Sequence, residues 1–380
     1  MAATVRASAA SAAVAGKVPP MQIDWAIVLA SVIVGFTVGL TGMGGGALMT
    51  PILLIFFGIT PTAAVSSDLV AAMVMKPIGG GVHIRRKTVR WELVRWLCVG
   101  SIPMAFAGVF LLHATGDSEQ IQNTTQRLLG ITLMLAAFAM VFKAWLQGKR
   151  SKEARLEGRV THMVGAPIHV KVIPTILIGA AGGLLVGLTS VGSGSLIIIS
   201  LMMLYPDLRG AELVGTDLVQ AVPLVTSAAL AHIIVGDFVL GLTASILIGA
   251  VPAVYLGARV SSKAPDGVIR PLLVLVLMAS ALKLLEVPTG AVGLILLAVI
   301  IVGFPLWGAV DASGYPAHRW ESLGIDRRRT IRRQAWGAPV LVGFPFAIQY
   351  FASTRPRLVA VTVPEVAGGA PTADDDPEGG

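Results

Sequence analysis

The sequence predicts an all-α, polytopic integral membrane protein with two internal repeats and with short or broken helices at glycine-rich motifs. Three observations predict this fold: the composition, a series of apolar segments, and a motif that recurs in register. Of the 380 residues, 55% are hydrophobic and 13% are charged, and the mean hydropathy is +0.80. Soluble domains carry about 25% charged residues. This chain therefore has too little polar surface for an ordinary soluble enzyme, a disordered protein or a secreted disulfide scaffold.

Apolar segments follow an N-terminal tail rich in Ala and Ser. A helix needs about 20 residues to cross the hydrocarbon of a membrane, and most of the segments meet that length. Residues 47–57 and 195–205 are shorter, so we expect half-helices, re-entrant pieces or short spans buried in protein there. In order, the segments are residues 24–41, 47–57, 61–82, 91–113, 128–145, 172–190, 195–205, 208–235, 238–260, 271–285, 291–310 and 335–352.

The same segments predict a domain organisation. It comprises a disordered tail, a first membrane repeat, a basic cytoplasmic linker, a second membrane repeat, an extension with two apolar segments, and a polar, acidic tail. These parts span, in that order, residues 1–23, 24–147, 148–171, 172–285, 286–354 and 355–380.

Loop charge predicts the orientation in the membrane. Residues 83–90, 149–171 and 319–333 are rich in Lys and Arg, which is typical of cytoplasmic loops. Residues 115–126 contain Asp117 and Glu119 but no basic residue, and fit the outside, as the acidic tail does. An outside N-terminus and one crossing per segment satisfy all these assignments, so we expect a multi-pass protein of the cell inner membrane. The basic residues behind the net charge of +8 are thus explained by membrane topology, and no nucleic-acid partner is expected.

An internal duplication is indicated by residues that match in one register. An Asp, a His and a Pro in a single register are hard to match by apolar composition alone. Five apolar segments separate the two glycine clusters, and an odd number of crossings inverts the second repeat. If one short segment does not cross, the repeats are parallel instead. The matched positions are residues 39–46 with 187–194, Asp68 with Asp217, His83 with His232, and Pro103 with Pro252.

The residues around the first glycine cluster resemble the TauE/SafE family of sulfite and organosulfonate exporters. The resemblance lies in residues 42–46 (GMGGG) with Pro51 behind them, in residues 58–61 (GITP), and in residues 66–68 (SSD). It covers about residues 27–285 and implies a polytopic carrier that exports a small, often sulfur-containing anion. In the second cluster Ser190 and Ser193 replace glycines, which predicts a second half-site of different shape and hydrogen bonding.

The glycine clusters are candidate anion sites. A small oxyanion in a membrane needs compensation for its lost hydration, and backbone N–H groups at helix N-termini can supply it. Each cluster precedes a short segment, so two half-helix N-termini could meet between the repeats. Close helix packing by small residues is the alternative. The candidate substrate-binding residues are Thr41, Gly42, Gly44, Gly45, Gly46, Thr189, Ser190, Gly192, Ser193 and Gly194.

Two carboxylates lie inside apolar segments, at Asp68 and Asp217. A charge there is costly, so an intramembrane carboxylate is a functional hypothesis by default. Each could take up a proton during transport, could cap a helix after a break near Val65 or Gly215, or could contact a cation or the substrate directly.

Other titratable residues complete the candidate coupling or gating group. Lys76 could attract an anion from the cytoplasmic side or could extend to the membrane interface. His232 has apolar neighbours in sequence and is the candidate proton relay, whereas His83 is expected at the membrane surface. Cys98 is the one cysteine, which excludes an intrachain disulfide and a cysteine-based metal cluster. No cofactor or metal is expected.

These features predict a secondary carrier that moves a small sulfur-containing anion outward by alternating access, and no enzyme activity. A membrane-embedded aspartyl-type enzyme is one alternative, because Gly215-Thr216-Asp217 resembles a motif of intramembrane aspartyl proteases, although Thr216 departs from it. A membrane scaffold without transport is the other alternative. A homo-oligomer in the lipid bilayer is compatible with the sequence.

Overall fold

The protein is described by a computed structural model in which every regular element is a helix, so the predicted all-α fold is confirmed for the described residues. These are residues 23–41, 45–114, 116–156, 169–192, 194–208, 210–260, 266–299, 303, 308–309, 312–313, 320–337, 347, 349–354 and 357–358. Two compact units divide the chain, Met1–Val299 and Ile300–Gly380.

The first unit contains the glycine clusters and the intramembrane carboxylates. Its helices are α1 (Trp25–Thr41), α2 (Gly46–Phe57), α3 (Pro61–Arg85), α4 (Trp91–His113), α5 (Ser118–Leu156), α6 (Val172–Thr189), α7 (Leu196–Leu204), α8 (Gly210–Val235), α9 (Leu240–Val260), α10 (Asp266–Leu284) and α11 (Thr289–Ala298). The two short segments are thus the short helices α2 and α7.

The second unit contains α12 (Arg327–Gly337) and a short π-helix (Tyr350–Thr354). Its small core forms around Trp320, whose ring stacks on Tyr350 with a centroid distance of 6.2 Å. Helix α12 carries five arginines of the basic stretch at residues 319–333.

Several helices of the first unit have the length and composition of membrane spans. They are α4, α5 over Ser118–Lys143, α6, α8, and α9 over Leu240–Gly257, and shorter apolar helices accompany them. Trp25, Phe56, Ile173 and Leu294 are each at least 69% exposed. Such an apolar outer surface suits lipid better than water, so the chain is a multi-pass membrane protein.

Helix α5 is longer than the apolar pattern predicts. It begins at Ser118 and continues to Leu156, whereas the apolar segment covers residues 128–145. The expected loop at 115–126 is therefore mostly helical, and the expected linker begins inside a helix. Hydropathy detects only the part of a helix that meets lipid, while Gln, Glu, Lys and Arg outside it are good helix formers and continue the helix into water.

The packing partners of the helices follow an exchange pattern. Helix α1 packs on α9, and α6 packs on α4, while α3 packs on α8 and α5 packs on α10. If α1–α5 correspond in order to α6–α10, each helix can be replaced by its counterpart. This replacement converts the α1–α9 pair into the α6–α4 pair and leaves the α3–α8 and α5–α10 pairs unchanged. This pattern supports the predicted duplication. The duplication and its orientation stay predictions.

Glycines and other small residues make the α1–α9 and α4–α6 contacts. A Cβ atom built on Gly35 would lie 2.8 Å from the Ala250 Cα atom of α9, and one on Gly183 would lie 2.6 Å from the Ser101 Cα atom of α4. Backbones approach this closely only where a side chain is lacking. Packing of this kind replaces the hydrophobic effect between helices that are both surrounded by lipid.

We expect Gly249→Ala to destabilise the protein and Gly81→Ala not to do so. A Cβ atom on Gly249 would overlap the Val28 carbonyl and lie 2.9 Å from the Ser31 Cβ atom, whereas one on Gly81 meets nothing within 4 Å. Overpacking costs about 1–3 kcal/mol, and Ala is favoured over Gly in an open helix by about 0.5–1 kcal/mol. Thermal unfolding in detergent measures both, and equal midpoints for the two variants would contradict the packing described.

Candidate functional site

Two helix breaks meet in the interior of the first unit. The first lies before α2, which starts at Gly46 with Gly45 at its N-cap position. The second lies between α6 and α7, where Ser190 has a left-handed backbone with φ of 59°. A Cβ atom built on Gly46 would lie 2.6 Å from the Ser190 Oγ atom. The missing side chain of Gly46 therefore lets the two breaks touch.

The carboxylate of Asp68 lies at this junction of the two breaks. Asp68 is fully buried in α3, and its Oδ2 atom accepts a hydrogen bond from the Ser190 hydroxyl. The Thr50 hydroxyl of α2 is a second, longer donor at 3.5 Å. The Asp68 Oδ1 atom is buried and has no hydrogen-bond partner among the described residues. An anion entering the junction would therefore meet a carboxylate as well as the expected donors.

A buried cation accompanies the two carboxylates. Lys76 lies eight residues after Asp68 on α3, about 12 Å along the helix, and is only 9% exposed. Its charge interacts with Asp217 of α8 and with Asp68. Lys143 of α5 acts on Asp217 as well. This burial and these charge interactions favour a role inside the bundle over the alternative in which Lys76 extends to the membrane interface, and that role stays a prediction.

The two carboxylates do not cap helices. Asp68 and Asp217 are each the eighth residue of an uninterrupted helix, α3 or α8. An N-cap residue stands before the first turn, so the capping alternative is wrong. Neither Val65 nor Gly215 interrupts its helix. The Oδ1 atom of Asp217 is also buried without a hydrogen-bond partner in the described part of the chain.

The remaining candidate substrate residues lie at or beside the breaks. Thr41 and Thr189 donate their hydroxyls to carbonyl oxygens one turn back in their own helices, at 2.8 and 2.7 Å. Gly192 has a φ of 123°, which a side chain would strain, and Gly194 stands in the turn before α7. Gly42, Gly44 and Ser193 lie outside the described residues. The substrate-binding role of all these residues stays a prediction.

The two matched histidines lie near helix ends. His232 Nδ1 is 3.1 Å from Asp237 Oδ2, and its Nε2 atom is 3.0 Å from the Gly187 carbonyl oxygen. His83 Nδ1 is 2.9 Å from the Thr88 hydroxyl. His232 thus contacts a loop carboxylate that the sequence did not identify, while no contact with Asp68 or Asp217 is recorded for it among the described residues.

Thr50 and Arg90 are two further polar residues whose partners the sequence does not reveal. Thr50 gave a weak signal as a hydroxyl inside a short apolar segment, but its partner could not be inferred. In the sequence, Arg90 is one of the basic residues that indicate a cytoplasmic loop. In the structure it forms a 2.8 Å ion pair with the buried Glu212 in the first turn of α8. Its backbone N–H also donates to the Thr216 hydroxyl at 3.0 Å. The basic loop before α4 is therefore fixed to α8.

Known proteins share this part of the chain. The family model described as sulfite exporter TauE/SafE matches residues 27–284. Two relatives from Bacillus subtilis (strain 168), the probable membrane transporter proteins YjnA and YdhB, are 36% and 22% identical over 260 residues. Those alignments cover 68% of this chain and 98% and 99% of the relatives. The probable membrane transporter protein MJ0441 of Methanocaldococcus jannaschii is 29% identical over 192 residues, which cover 48% of this chain and 64% of the relative. No solved structure matches.

We expect Gly46→Ala to destabilise the junction and Gly45→Ala to leave its stability close to that of the wild type. The added methyl group at Gly46 would overlap Ser190, whereas at Gly45 the nearest atoms are Asp68 Oδ1 at 3.5 Å and Met75 Cε at 3.6 Å, an ordinary contact. The first change should cost about 1–3 kcal/mol. Thermal unfolding in detergent compares the two, and an unchanged midpoint for Gly46→Ala would show that the breaks do not touch.

Proposed function

Because this chain belongs to the sulfite exporter TauE/SafE family, we propose that it is a secondary transporter that exports a small anion, sulfite or an organosulfonate, across the cell inner membrane. The observation that carries the proposal is the meeting of the two helix breaks beside Asp68. Short helices that end inside a packed bundle are the usual setting of a substrate site in secondary transporters.

The junction contains the donors that an anion requires. The Ser190 and Thr50 hydroxyls converge on one oxygen of Asp68. The first backbone N–H groups of α2 at Gly46 have no partner one turn back within their helix and carry the positive end of its dipole. Lys76, eight residues further along α3, adds a positive charge that acts on Asp68. Protonation of Asp68 would weaken its hold on the two hydroxyls and let them donate to the substrate instead.

Charge conservation gives this exchange a physical basis. With Asp68 and Asp217 ionised and Lys76 protonated, the buried group carries one net negative charge. A monovalent anion that enters with one proton on Asp68 leaves that net charge unchanged. Since uncompensated charge is very costly in a low-dielectric interior, the anion and the proton should enter together.

Alternating access is supported by the exchange pattern of the helix pairs. The central contact joins α3 to α8, and these helices carry Asp68 and Asp217. In our proposal the glycine-packed pairs α1–α9 and α4–α6 act as two bodies. Motion of these bodies around the α3–α8 contact opens the junction to one side of the membrane and then to the other.

The contacts favour a transporter over an aspartyl-type enzyme. Two catalytic carboxylates of that type share one proton at hydrogen-bond distance. Here Asp68 accepts hydrogen bonds from Ser190 and Thr50, and the charge of Lys76 acts on both carboxylates. That arrangement suits the binding of a charged substrate better than the activation of water.

Flux of radiolabelled sulfite in proteoliposomes tests the proposal. Sulfite flux should saturate with sulfite concentration, and it should be faster when an imposed proton gradient runs in the same direction as the sulfite flux. Thiosulfate, sulfate and taurine are measured beside sulfite. Movement of another anion alone would replace sulfite as the substrate. Lack of movement of all four by protein that remains folded would support the scaffold alternative.

We expect Asp68→Asn to lower sulfite flux about tenfold, a barrier increase of about 1.4 kcal/mol, and to remove its response to the proton gradient. Asn cannot exchange a proton, although it keeps the size of the side chain and an acceptor for Ser190. Asp117→Asn, in the exposed turn before α5, is the matched control and should behave as the wild type. A gradient response that survives in Asp68→Asn would rule out Asp68 as the coupling residue.

A further inference from the structure

A second polar cluster lies at the end of the bundle, away from the basic loop that precedes α4. The loop between α8 and α9 returns to the start of α3, where the Asp237 carbonyl oxygen accepts a 2.8 Å hydrogen bond from the Ser66 hydroxyl. Helix α3 has 25 residues, a length of about 37 Å, and ends at the basic residues 85–90. Since basic loops are cytoplasmic, Asp237 belongs to the opposite, non-cytoplasmic side.

The Asp237 carboxylate bridges two imidazole rings. Its Oδ2 atom is 3.1 Å from His113 Nε2 and 3.1 Å from His232 Nδ1. The other ring nitrogens also face oxygen atoms: His113 Nδ1 is 2.9 Å from the Val109 carbonyl, and His232 Nε2 is 3.0 Å from the Gly187 carbonyl. All four ring nitrogens therefore face an oxygen.

The chemistry of these oxygens fixes the number of protons. Carbonyl oxygens and an ionised carboxylate only accept hydrogen bonds, and a neutral imidazole has one N–H group and one lone pair. A neutral ring would direct its lone pair at an oxygen. With Asp237 ionised, the four contacts can all be hydrogen bonds only when both rings carry two protons.

We propose that His113, Asp237 and His232 form a proton-binding site at the non-cytoplasmic end of the first unit, with two imidazolium groups around one carboxylate. The site can exchange protons with water, because the side chains of Asp237 and His113 are 15% and 20% exposed. His232 is buried, with its side chain 1% exposed, and exchanges through Asp237.

Each element packed against Asp237 contributes to this balance. Helix α8 provides His232 and α4 provides His113, and these are the charged side chains that act on Asp237 among the described residues. Helix α3 provides the Thr62 and Ser66 hydroxyls. Burial by itself would raise the pKa of Asp237, but the hydrogen bond and charge of His232, the charge of His113 and the Thr62 hydroxyl together hold that pKa below its ordinary value.

The lowered pKa of Asp237 defines the pH range in which its carboxylate stabilises the fold. Because its pKa is lower in the folded protein than in the unfolded chain, its contribution is fully present above the ordinary carboxyl value of about 3.9. It is lost only as the pH falls through the lowered folded value. Across about pH 5–8, the range in which histidines usually titrate, Asp237 thus stays ionised.

The matched position at the other end of the bundle lacks such a site. His83 and Thr88 stand five residues apart, as His232 and Asp237 do. Thr88 donates its own hydroxyl to the His83 carbonyl at 3.2 Å, so it can accept a hydrogen bond from His83 Nδ1. A neutral ring satisfies that arrangement. Of these two matched positions in the described part of the chain, the one at the non-cytoplasmic end therefore carries the two-proton requirement.

Proton loss at the site would reach the second helix break. His232 holds the Gly187 carbonyl, three residues before Ser190, and Asp237 holds the start of α3 through Ser66. When a ring loses a proton, one hydrogen bond becomes a contact between lone pairs, and the connection loosens. External pH would in this way change transport. That regulatory step rests on the proposed function, whereas the proton-binding site itself does not.

Nitrogen NMR of the full-length protein labelled at its six histidines tests the site without any substrate. At a pH of about 7.5, one unit above the ordinary imidazole pKa of about 6.5, an unassisted ring carries one proton. At that pH we expect two rings with both nitrogens protonated, one lost in His113→Gln and the other in His232→Gln. Asp237→Asn, which removes the charge, should return both rings to the singly protonated form. His83→Gln is the matched control and should leave both signals in place.

The results separate the site from the proposed function. A singly protonated ring at His113 or His232 in the wild type would overturn the proposed proton-binding site. The proposal would also fail if the Asp237→Asn variant kept both doubly protonated signals. If His232→Gln does not fold, His113→Gln and Asp237→Asn still decide. In oriented proteoliposomes, His113→Gln should reduce the response of flux to external pH at least twofold, and His83→Gln should not. If the wild type shows both doubly protonated rings but the flux of His113→Gln responds to external pH as the wild type does, the regulatory step alone is overturned.

Discussion

A carboxylate in an apolar interior needs hydrogen-bond donors or a countercharge, and Asp68 sets this requirement at the centre of the first unit. Ser190 in the second break and Thr50 in α2 are its hydroxyl donors, and Lys76 supplies positive charge from α3. Because these groups come from different elements, their convergence fixes where α2, α3 and the second break lie relative to one another. Loss of one partner would leave a buried charge with fewer donors, which is more costly than the net value of a hydrogen bond.

Close approach of backbones makes this convergence possible. Gly46 lets Ser190 come near enough to face Asp68, and Gly35 and Gly183 bring α1 and α4 against their partner helices. Lipid surrounds both members of such a pair, so burial of apolar area gives little drive for association, and fit between surfaces replaces it. A single methyl group at these positions therefore affects the arrangement of charged groups that it does not itself contact.

The sequence predicts the helices and their breaks better than their contacts. The short segments at residues 47–57 and 195–205 became α2 and α7 because their lengths and flanking glycines are local properties. The hydrogen bond between Asp68 and Ser190 joins residues 122 positions apart, and no local pattern specifies which helices meet. Lys76 illustrates the same limit: its position in an apolar segment allowed two directions for its side chain, and only the packing of α3 on α8 favours one of them.

The exchange of packing partners also affects how the protein is made. Helix α1 is synthesised well before its partner, since its glycine face is covered by α9, about 200 residues later in the chain. At about 5–20 residues per second on the ribosome, α1 waits on the order of 10–40 s in the bilayer before its partner arrives. During that interval its narrow, glycine-lined surface is open to other nascent helices. The insertion machinery, or a lipid seated temporarily in that groove, must therefore protect α1 until the second half of the chain has entered the membrane.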